Sequence, residues 1–455
     1  MERAGGSPKG GTTRRGGVRA GSNCARPESV TERSWHNAYV TPTARNLLDF
    51  LGADGASGTA AHVKALSLPA WDEVIALALS HGVAPLLHRS LQAGGGLAAL
   101  PESMRTRLAE ERRATAFANL RRCAAFRDIA HAFAEGNIPL MALKGLHLAE
   151  RVYRDISLRP MDDVDILVPR AELGNAVAML QRMGYGPEED MSGAAVARLE
   201  TSHAIALEHR GLGTMIELHW ALGERGYGYE SPVEEIWRAA TPGTLADADV
   251  QLMSPEFLLL HVCAHLACNH TFLLGLRALC DIAEIVRACP ALDWPLVIDQ
   301  GQRHGWSRGI AAALWLARDQ LGATVPGEVL AALGADTLAP EMLSEALEHL
   351  LSSHQIPDNL SAVPNFLAFV GRRGVRGKLA IFWHRVFMPR AELALKYGVP
   401  EDSLRLSLYY AVRLRDLVRQ YAARAWTIHV SDPQFRDTVA RHERLAAWIA
   451  RADSL

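Results

Sequence analysis

Two aspartates, Asp163 and Asp165, lie one residue apart at the start of the apolar segment Val164–Val168. In an extended strand, side chains two positions apart point to the same face. Both carboxylates therefore share one face, and the valines of this segment lie on the other. Neighbouring carboxylates repel each other unless a cation or a proton neutralises them. The segment predicts a strand with one charged face, and a hard divalent cation such as Mg²⁺ suits that face.

Other apolar segments nearby predict a small sheet around this strand. Ile138–Leu143 is a short apolar run typical of a buried strand, and Lys144 and Gly145 end it before a short helical segment. Residues 204–209 and 214–220 predict two further strands, joined by a loop of hairpin length that contains two glycines.

The rest of the chain has a helical pattern, so we predict a mostly helical α+β protein. Strand signals fade beyond Glu230, and the apolar spacing there is that of helices. The first residues are rich in Gly, Arg, Ser and Thr and are mildly basic, which predicts disorder, with a nucleic-acid-binding arm as the alternative. The predicted division is a disordered tail over 1–38, an N-terminal helical segment over 39–135, a sheet core over 136–225 and a C-terminal helical region over 226–455.

Composition and charge argue against a nucleic-acid-binding, membrane-spanning or secreted protein. The formal net charge of −2 gives no global basic field, so nucleic acid is not favoured as the main partner. No apolar run approaches the roughly 20 residues of a membrane-spanning helix. The six cysteines are scattered without a CxxC pair, and the amino-terminal end lacks an apolar signal core. These features predict a cytoplasmic protein that does not enter a membrane.

A third carboxylate extends the charged face if the strands are neighbours. In the strand around Ile216, Glu217 and His219 share one face by alternation. Glu217 could then join Asp163 and Asp165. Three carboxylates can hold two divalent cations about 3.5–4 Å apart, which stabilise an in-line phosphoryl displacement. His219 has two open interpretations, a catalytic side chain or a histidine whose hydrogen bonds are satisfied near the site.

Two positively charged residues, Lys144 and Arg159, precede the aspartate pair in the sequence. Gly145 lets the backbone approach phosphates, and Lys144 adds a cation, although a solvated turn lysine fits the pattern as well. Arg159 lies four residues before Asp163 and could cover developing negative charge. The alternative for Arg159 is an ion pair with Asp162 or Asp163.

Three histidines, His261, His265 and His270, lie close together in an apolar helical region. His261 and His265 are four residues apart and share a helix face, a spacing that can bind zinc. No Cys, Asp or Glu at a matching spacing for such a site is evident. Packing against the sheet core is therefore the favoured interpretation.

These motifs resemble those of a known enzyme superfamily. They are Leu143-Lys144-Gly145, the segment Arg159–Val168 and the segment Ile216–Trp220. They resemble the nucleotidyltransferase superfamily that includes polymerase-β-like enzymes. More closely, the chain is similar to a bacterial family of uncharacterised nucleotidyltransferases, over roughly residues 45–425. The resemblance implies a small mixed β-sheet of the nucleotidyltransferase type, flanked by N- and C-terminal helical segments.

The resemblance also implies roles for individual residues. Superfamily members bind two Mg²⁺ and a nucleoside triphosphate with a Gly-Ser turn, an Asp-x-Asp strand and a later acidic residue. By position, Asp163, Asp165 and Glu217 would be the catalytic carboxylates and metal ligands, with Mn²⁺ as an alternative to Mg²⁺. The phosphate-binding residues would be Lys144, Gly145 and Arg159. Lys-Gly stands here where most members have Gly-Ser, which leaves room for a different donor.

The implied reaction moves a nucleoside monophosphate from a nucleoside triphosphate to an acceptor. Members of the family often occur beside genes for peptide natural products, which implies a small molecule or a modified peptide as acceptor. An alternative is a non-catalytic binding or regulatory protein, such as a toxin–antitoxin-like partner, on a decayed nucleotidyltransferase scaffold. A third hypothesis is an enzyme that nucleotidylates a protein or RNA.

Overall fold

The computed structural model describes residues 40–52, 60–186, 203–209, 211–223, 232–352, 390, 393, 403, 405–415 and 433–450. These residues form one seven-stranded mixed sheet flanked by helices, which confirms the predicted mostly helical α+β class. The predicted disordered tail lies outside the described residues. Within the described part of the chain, no helix is both long enough and apolar enough to cross a membrane.

The sheet contains all four predicted strands and three more. Its strands are β1 Met141–Ala142, β2 Val164–Leu167, β3 Tyr185–Gly186, β4 Ala204–His209, β5 Thr214–His219, β6 Thr241–Leu245 and β7 Ala248–Leu252. The spatial order is β3-β4-β5-β2-β1-β7-β6. The central strand β2 runs parallel to β5 and antiparallel to β1, and β1 is parallel to β7. Strand β2, which carries Asp165, therefore lies between β1 and β5, and β5 carries Glu217.

The β6–β7 hairpin corrects the prediction that strands end before Glu230. Its two turn residues, Ala246 and Asp247, have positive φ angles of 49° and 61°. Such a turn is usually marked by Asn-Gly or Asp-Gly, so this sequence gave no hairpin signal. Pro242 lies in β6, which forms the edge of the sheet, where a missing N–H group is tolerated. The sheet consequently extends beyond the predicted core at 136–225.

Helices form most of the remaining described chain. They are α1 Pro42–Leu51, α2 Ala60–Ala65, α3 Leu68–Ser80, α4 Ala84–Ala93, α5 Glu102–Glu135, α6 Lys144–His147, α7 Leu173–Arg182, α8 Val233–Ala239, α9 Pro255–Ala264, α10 Leu276–Ala288, α11 Trp294–Arg303, α12 Ser307–Leu321, α13 Gly327–Ala332, α14 Pro340–Ser352 and α15 Pro433–Ala450. Helix α6 continues as a π-helix over Leu148–Val152, and α9 continues as a π-helix over His265–Asn269. Single π-helical turns are frequent at functional sites, and both of these turns adjoin the site described below.

The long helix α5 ends where the sequence predicts. Gly136 follows its last turn, and Asn137 adopts a left-handed φ of 52°, a conformation that asparagine tolerates better than most residues. Residues 138–140 then lead into β1. The apolar face of α5 packs against the sheet in one cluster, which includes Phe126, Ile129, Phe133, Val164, Ile166, Ile216 and Leu218. The carboxylates alternate with these residues along β2 and β5, so they lie on the opposite face.

Helices α14 and α15 enclose a pair of buried histidines. His349 is 0 % exposed, and the centroid of its ring lies 5.6 Å from that of His442. Among the described residues, neither ring nitrogen of His349 has a hydrogen-bond partner. Burial lowers the pKa of His349 to about 2 and that of His442 to about 4, so both rings are neutral.

We expect the protein to lose stability in acid, and His349→Leu to reduce that loss. Both pKa values lie below the usual 6.5, so the unfolded chain binds protons before the folded one as the pH falls from about 6.5 to about 4. Each such histidine lowers the free energy of unfolding by up to ~1.4 kcal/mol per pH unit in that range. Urea unfolding between pH 7.5 and about pH 4.5 should show a shallower slope in the variant. The control is His131→Gln, at an exposed position on α5, and an unchanged slope in His349→Leu would contradict the assignment.

Candidate active site

The parallel pairing of β2 with β5 places the predicted carboxylates next to each other. Asp165 lies directly opposite Glu217 in the register of the two strands. Ligand atoms of Asp165, Glu217 and His219 lie within 4.8 Å of one another, and no other group of three or more metal-ligating side chains is found among the described residues. The pairing of the two strands, on which the third carboxylate depended, is present. The predicted group was Asp163, Asp165 and Glu217, whereas the observed group contains His219 and not Asp163.

Asp165 is the buried centre of this group. Its Oδ1 atom accepts hydrogen bonds from Lys144 Nζ at 3.4 Å and from His219 Nε2 at 3.1 Å. Burial favours the neutral acid, but the positive charge of Lys144 and the hydrogen bond from His219 outweigh it, so the pKa of Asp165 lies well below its usual value. Asp165 is therefore a carboxylate at neutral pH.

His219 connects the two carboxylates. Its Nε2 atom lies 3.1 Å from Asp165 Oδ1 and 3.2 Å from Glu217 Oε2. Burial opposes the charged imidazolium, yet the hydrogen bonds to Asp165 and Glu217 prevail and raise the pKa of His219 to about 9. His219 is therefore positively charged at neutral pH and donates hydrogen bonds. In this state it cannot accept a proton from a substrate.

Asp163 lies next to this group but does not belong to it. Its side chain is half-buried at the start of β2. Burial, followed by the negative charge of Asp165, raises the pKa of Asp163 to about 6, although Lys144 acts in the opposite direction. A raised pKa is expected when two carboxylates lie next to each other, because the second negative charge is disfavoured. Its assignment as a metal ligand stays a prediction.

Lys144 and Gly145 form the first turn of α6, immediately after β1. The Lys144 side chain is 18 % exposed, and its Nζ atom lies between Asp165 and His265. A Cβ atom on Gly145 would lie 3.1 Å from Met161 Sδ and 3.6 Å from Arg159 Nη1. Glycine at this position therefore allows close packing against the segment before β2. The predicted approach of a phosphate to Gly145 is not tested by this contact.

Arg159 forms a buried ion pair with an acid that the sequence did not suggest. Its Nε and Nη2 atoms each donate to a different oxygen of Asp281, both at 2.9 Å. The hydroxyl of Tyr153 also donates to Asp281, at 2.9 Å. The expected alternatives were Asp162 and Asp163. Instead, Asp162 is 81 % exposed and pairs with Arg277.

A layer of neutral histidines from the helical region lies against Lys144. The ring of His265 lies 4.4 Å from that of His270 and 5.8 Å from that of His261, and its Nε2 atom lies 3.4 Å from Lys144 Nζ. Burial lowers the pKa of His261 to about 3 and that of His270 to about 4. His265 contacts the predicted sheet core through Lys144, as the packing interpretation expects. Because an ammonium group only donates, His265 Nε2 is the acceptor in this contact.

Comparison with known families agrees with the geometry. The profile of a family described as "Uncharacterised nucleotidyltransferase" matches residues 67–322, more than half of the chain. The chain belongs to this family. The resemblance inferred from the motifs is confirmed, and the chain is accordingly a transferase of the nucleotidyltransferase type. A comparison with curated proteins found no match.

The family match covers the whole candidate site. It begins at Ser67, the N-cap residue of α3, and ends at Gly322, which follows α12. The sheet, the histidine layer and Asp281 all fall inside these limits. Residues 226–322 therefore belong to the same family unit as the carboxylates, although the sequence patterns alone suggested a separate helical region.

Proposed function

We propose that this protein transfers a nucleoside monophosphate from a nucleoside triphosphate to a small molecule or modified peptide. The observation that carries the proposal is the in-register pairing of Asp165 with Glu217 on parallel strands, with Lys144 at the adjacent helix start. The carboxylate oxygens of this site suit Mg²⁺ or Mn²⁺, while His219 donates to Asp165 and Glu217 and holds them in place. Bound there, a divalent cation would neutralise charge on the triphosphate and on the attacking oxygen.

In the proposed reaction, an acceptor oxygen attacks the α-phosphorus of the triphosphate. A bond forms between that oxygen and phosphorus, the bond from phosphorus to the bridging oxygen breaks, and pyrophosphate leaves. Glu217 is the most accessible carboxylate of the group, with 34 % of its side chain exposed against 6 % for Asp165. We assign Glu217 to receive the acceptor proton, while Asp165 and Asp163 serve as metal ligands.

The positive side chains have different parts in this proposal. Lys144 Nζ lies on the charged face and can donate to a phosphate oxygen in addition to Asp165. Arg159 is held by Asp281, so we propose that it mainly positions the segment that leads into Asp163. A direct contact between Arg159 and phosphate would require that ion pair to open.

The test is a transfer assay with α-labelled nucleoside triphosphates, Mg²⁺ or Mn²⁺, and a panel of small-molecule and peptide acceptors. We expect label on one acceptor class, release of pyrophosphate, and loss of both signals with a chelator. The comparison variant is Asp163→Ala/Asp165→Ala. A wild-type protein that neither binds metal–triphosphate nor differs from this variant would refute the proposal and favour the non-catalytic binding protein.

A further inference from the structure

We propose that Lys144 supplies one of the positive charges of this site, so that the site binds one divalent cation instead of two. This inference rests on the proposed function, because it concerns the same carboxylates. It departs from the two-cation arrangement that the sequence motifs imply. The inference is carried by the position of the Lys144 ammonium group relative to Asp165.

The backbone fixes Lys144 at the charged face. The preceding residue, Leu143, donates its N–H to the carbonyl oxygen of Asp165 at 3.0 Å, which ties this end of β1 to β2. On the other side, buried Gly145 packs against Met161. The Lys144 side chain thus starts from a fixed point beside the carboxylate, and only 18 % of it is exposed.

The ammonium group lies where a second cation would be needed. A pair of divalent ions about 3.5–4 Å apart is normally bridged by a shared carboxylate. Asp165, the central carboxylate here, already accepts Lys144 and His219 on the same oxygen, at 3.4 Å and 3.1 Å. A second divalent ion on that oxygen would meet the ammonium charge at short range, and this repulsion is little screened at a buried site.

The remaining ligand set fits one ion. His219 donates its Nε2–H to Asp165 and Glu217, so it is a fixed positive group at this site and not a metal ligand. The ligands left are carboxylate oxygens, with Asp165 and Asp163 holding one ion as proposed above, and oxygen ligands suit Mg²⁺ and Mn²⁺. Lys144 then acts on the triphosphate as a further positive charge beside that ion, with Nζ donating to a phosphate oxygen.

The experiment counts Mn²⁺ ions bound per full-length chain, by titration with Mn²⁺ alone and electron paramagnetic resonance of the free ion. We expect one Mn²⁺ in the wild type that is lost in Asp165→Asn. Lys144→Met keeps an unbranched side chain that is one atom shorter and removes its charge, and should bind two. Lys144→Arg keeps the charge and should bind one. Lys144→Gln serves as a second neutral variant, and circular dichroism checks that each variant is folded.

The outcomes separate this inference from the proposed function. Two ions in the wild type, both dependent on Asp165, would overturn the single-cation inference and leave the proposed transfer reaction intact. One ion in the wild type and still one in both folded neutral variants would also overturn the role of Lys144. If no bound ion depends on Asp165, the inference and the proposed metal-dependent function both fail.

Discussion

We expect Asp165→Asn to lower nucleotidyl transfer by roughly 10³-fold, the effect of removing one preorganised charged group from an active site. Asparagine keeps the shape of the side chain and an acceptor oxygen for Lys144 and His219, but it removes the negative charge that holds the cation. The expected measurement is the rate of pyrophosphate release at saturating triphosphate, with Mn²⁺ binding as a second readout. The rate of pyrophosphate release and the binding of Mn²⁺ should fall together.

Asp162→Asn is the matched control for this substitution. It makes the same chemical change three residues earlier, at a side chain that is 81 % exposed and paired with Arg277. We expect its rate to stay within about twofold of the wild type, as is usual for surface substitutions. Equal losses of transfer rate in Asp162→Asn and Asp165→Asn would mean that only the overall negative charge of this segment matters. The assignment of Asp165 to the active site would then be wrong.

We expect Asp281→Ala to lower the free energy of unfolding by about 3–5 kcal/mol, because it leaves the buried Arg159 guanidinium without its partner. The pair is buried, bidentate and also bound by Tyr153. It joins α10 to the segment before β2, so its loss should also loosen the approach to Asp163. The measurement is the midpoint of urea unfolding, followed by circular dichroism.

Two further variants test the physical reason. Asp162→Ala removes an exposed ion pair with Arg277 and should cost less than ~1 kcal/mol. The double variant Arg159→Met/Asp281→Leu removes both buried charges and should recover most of the stability lost in Asp281→Ala. If Asp281→Ala costs no more than Asp162→Ala, the pair is not a structural anchor, and a direct phosphate role for Arg159 becomes the better interpretation.

The strands around the site could be predicted because each one carries a local signal. Alternation along β2 and β5 separates apolar residues from Asp165 and Glu217, and the structure confirms this separation. The β6–β7 hairpin carried no such signal, because Ala246 and Asp247 replace the usual turn residues and Pro242 lies in an edge strand. Local pattern was therefore sufficient for the centre of the sheet but not for its edge.

The partners of the charged residues required long-range information. Arg159 and Asp281 are separated by 122 positions, and Lys144 and His265 by 121. No spacing rule links residues so far apart, since their contact depends on how α9 and α10 dock on the sheet. His219 had a partial signal, because it shares a strand face with Glu217, but its contact with Asp165 depends on the pairing of β2 with β5.

The sequence by itself determined the chemical type of the site. An Asp-x-Asp strand, a same-face Glu217 and the Lys144–Gly145 turn are local features; they indicate a divalent-cation site, and their resemblance to known motifs indicates a nucleotidyltransferase. Only the tertiary structure decided which charges meet. It placed Lys144 and a charged His219 on Asp165, because strand pairing and helix docking bring distant residues to one carboxylate. The physical reason is that charge neutralisation at a buried site depends on distance in space, which local sequence patterns do not encode.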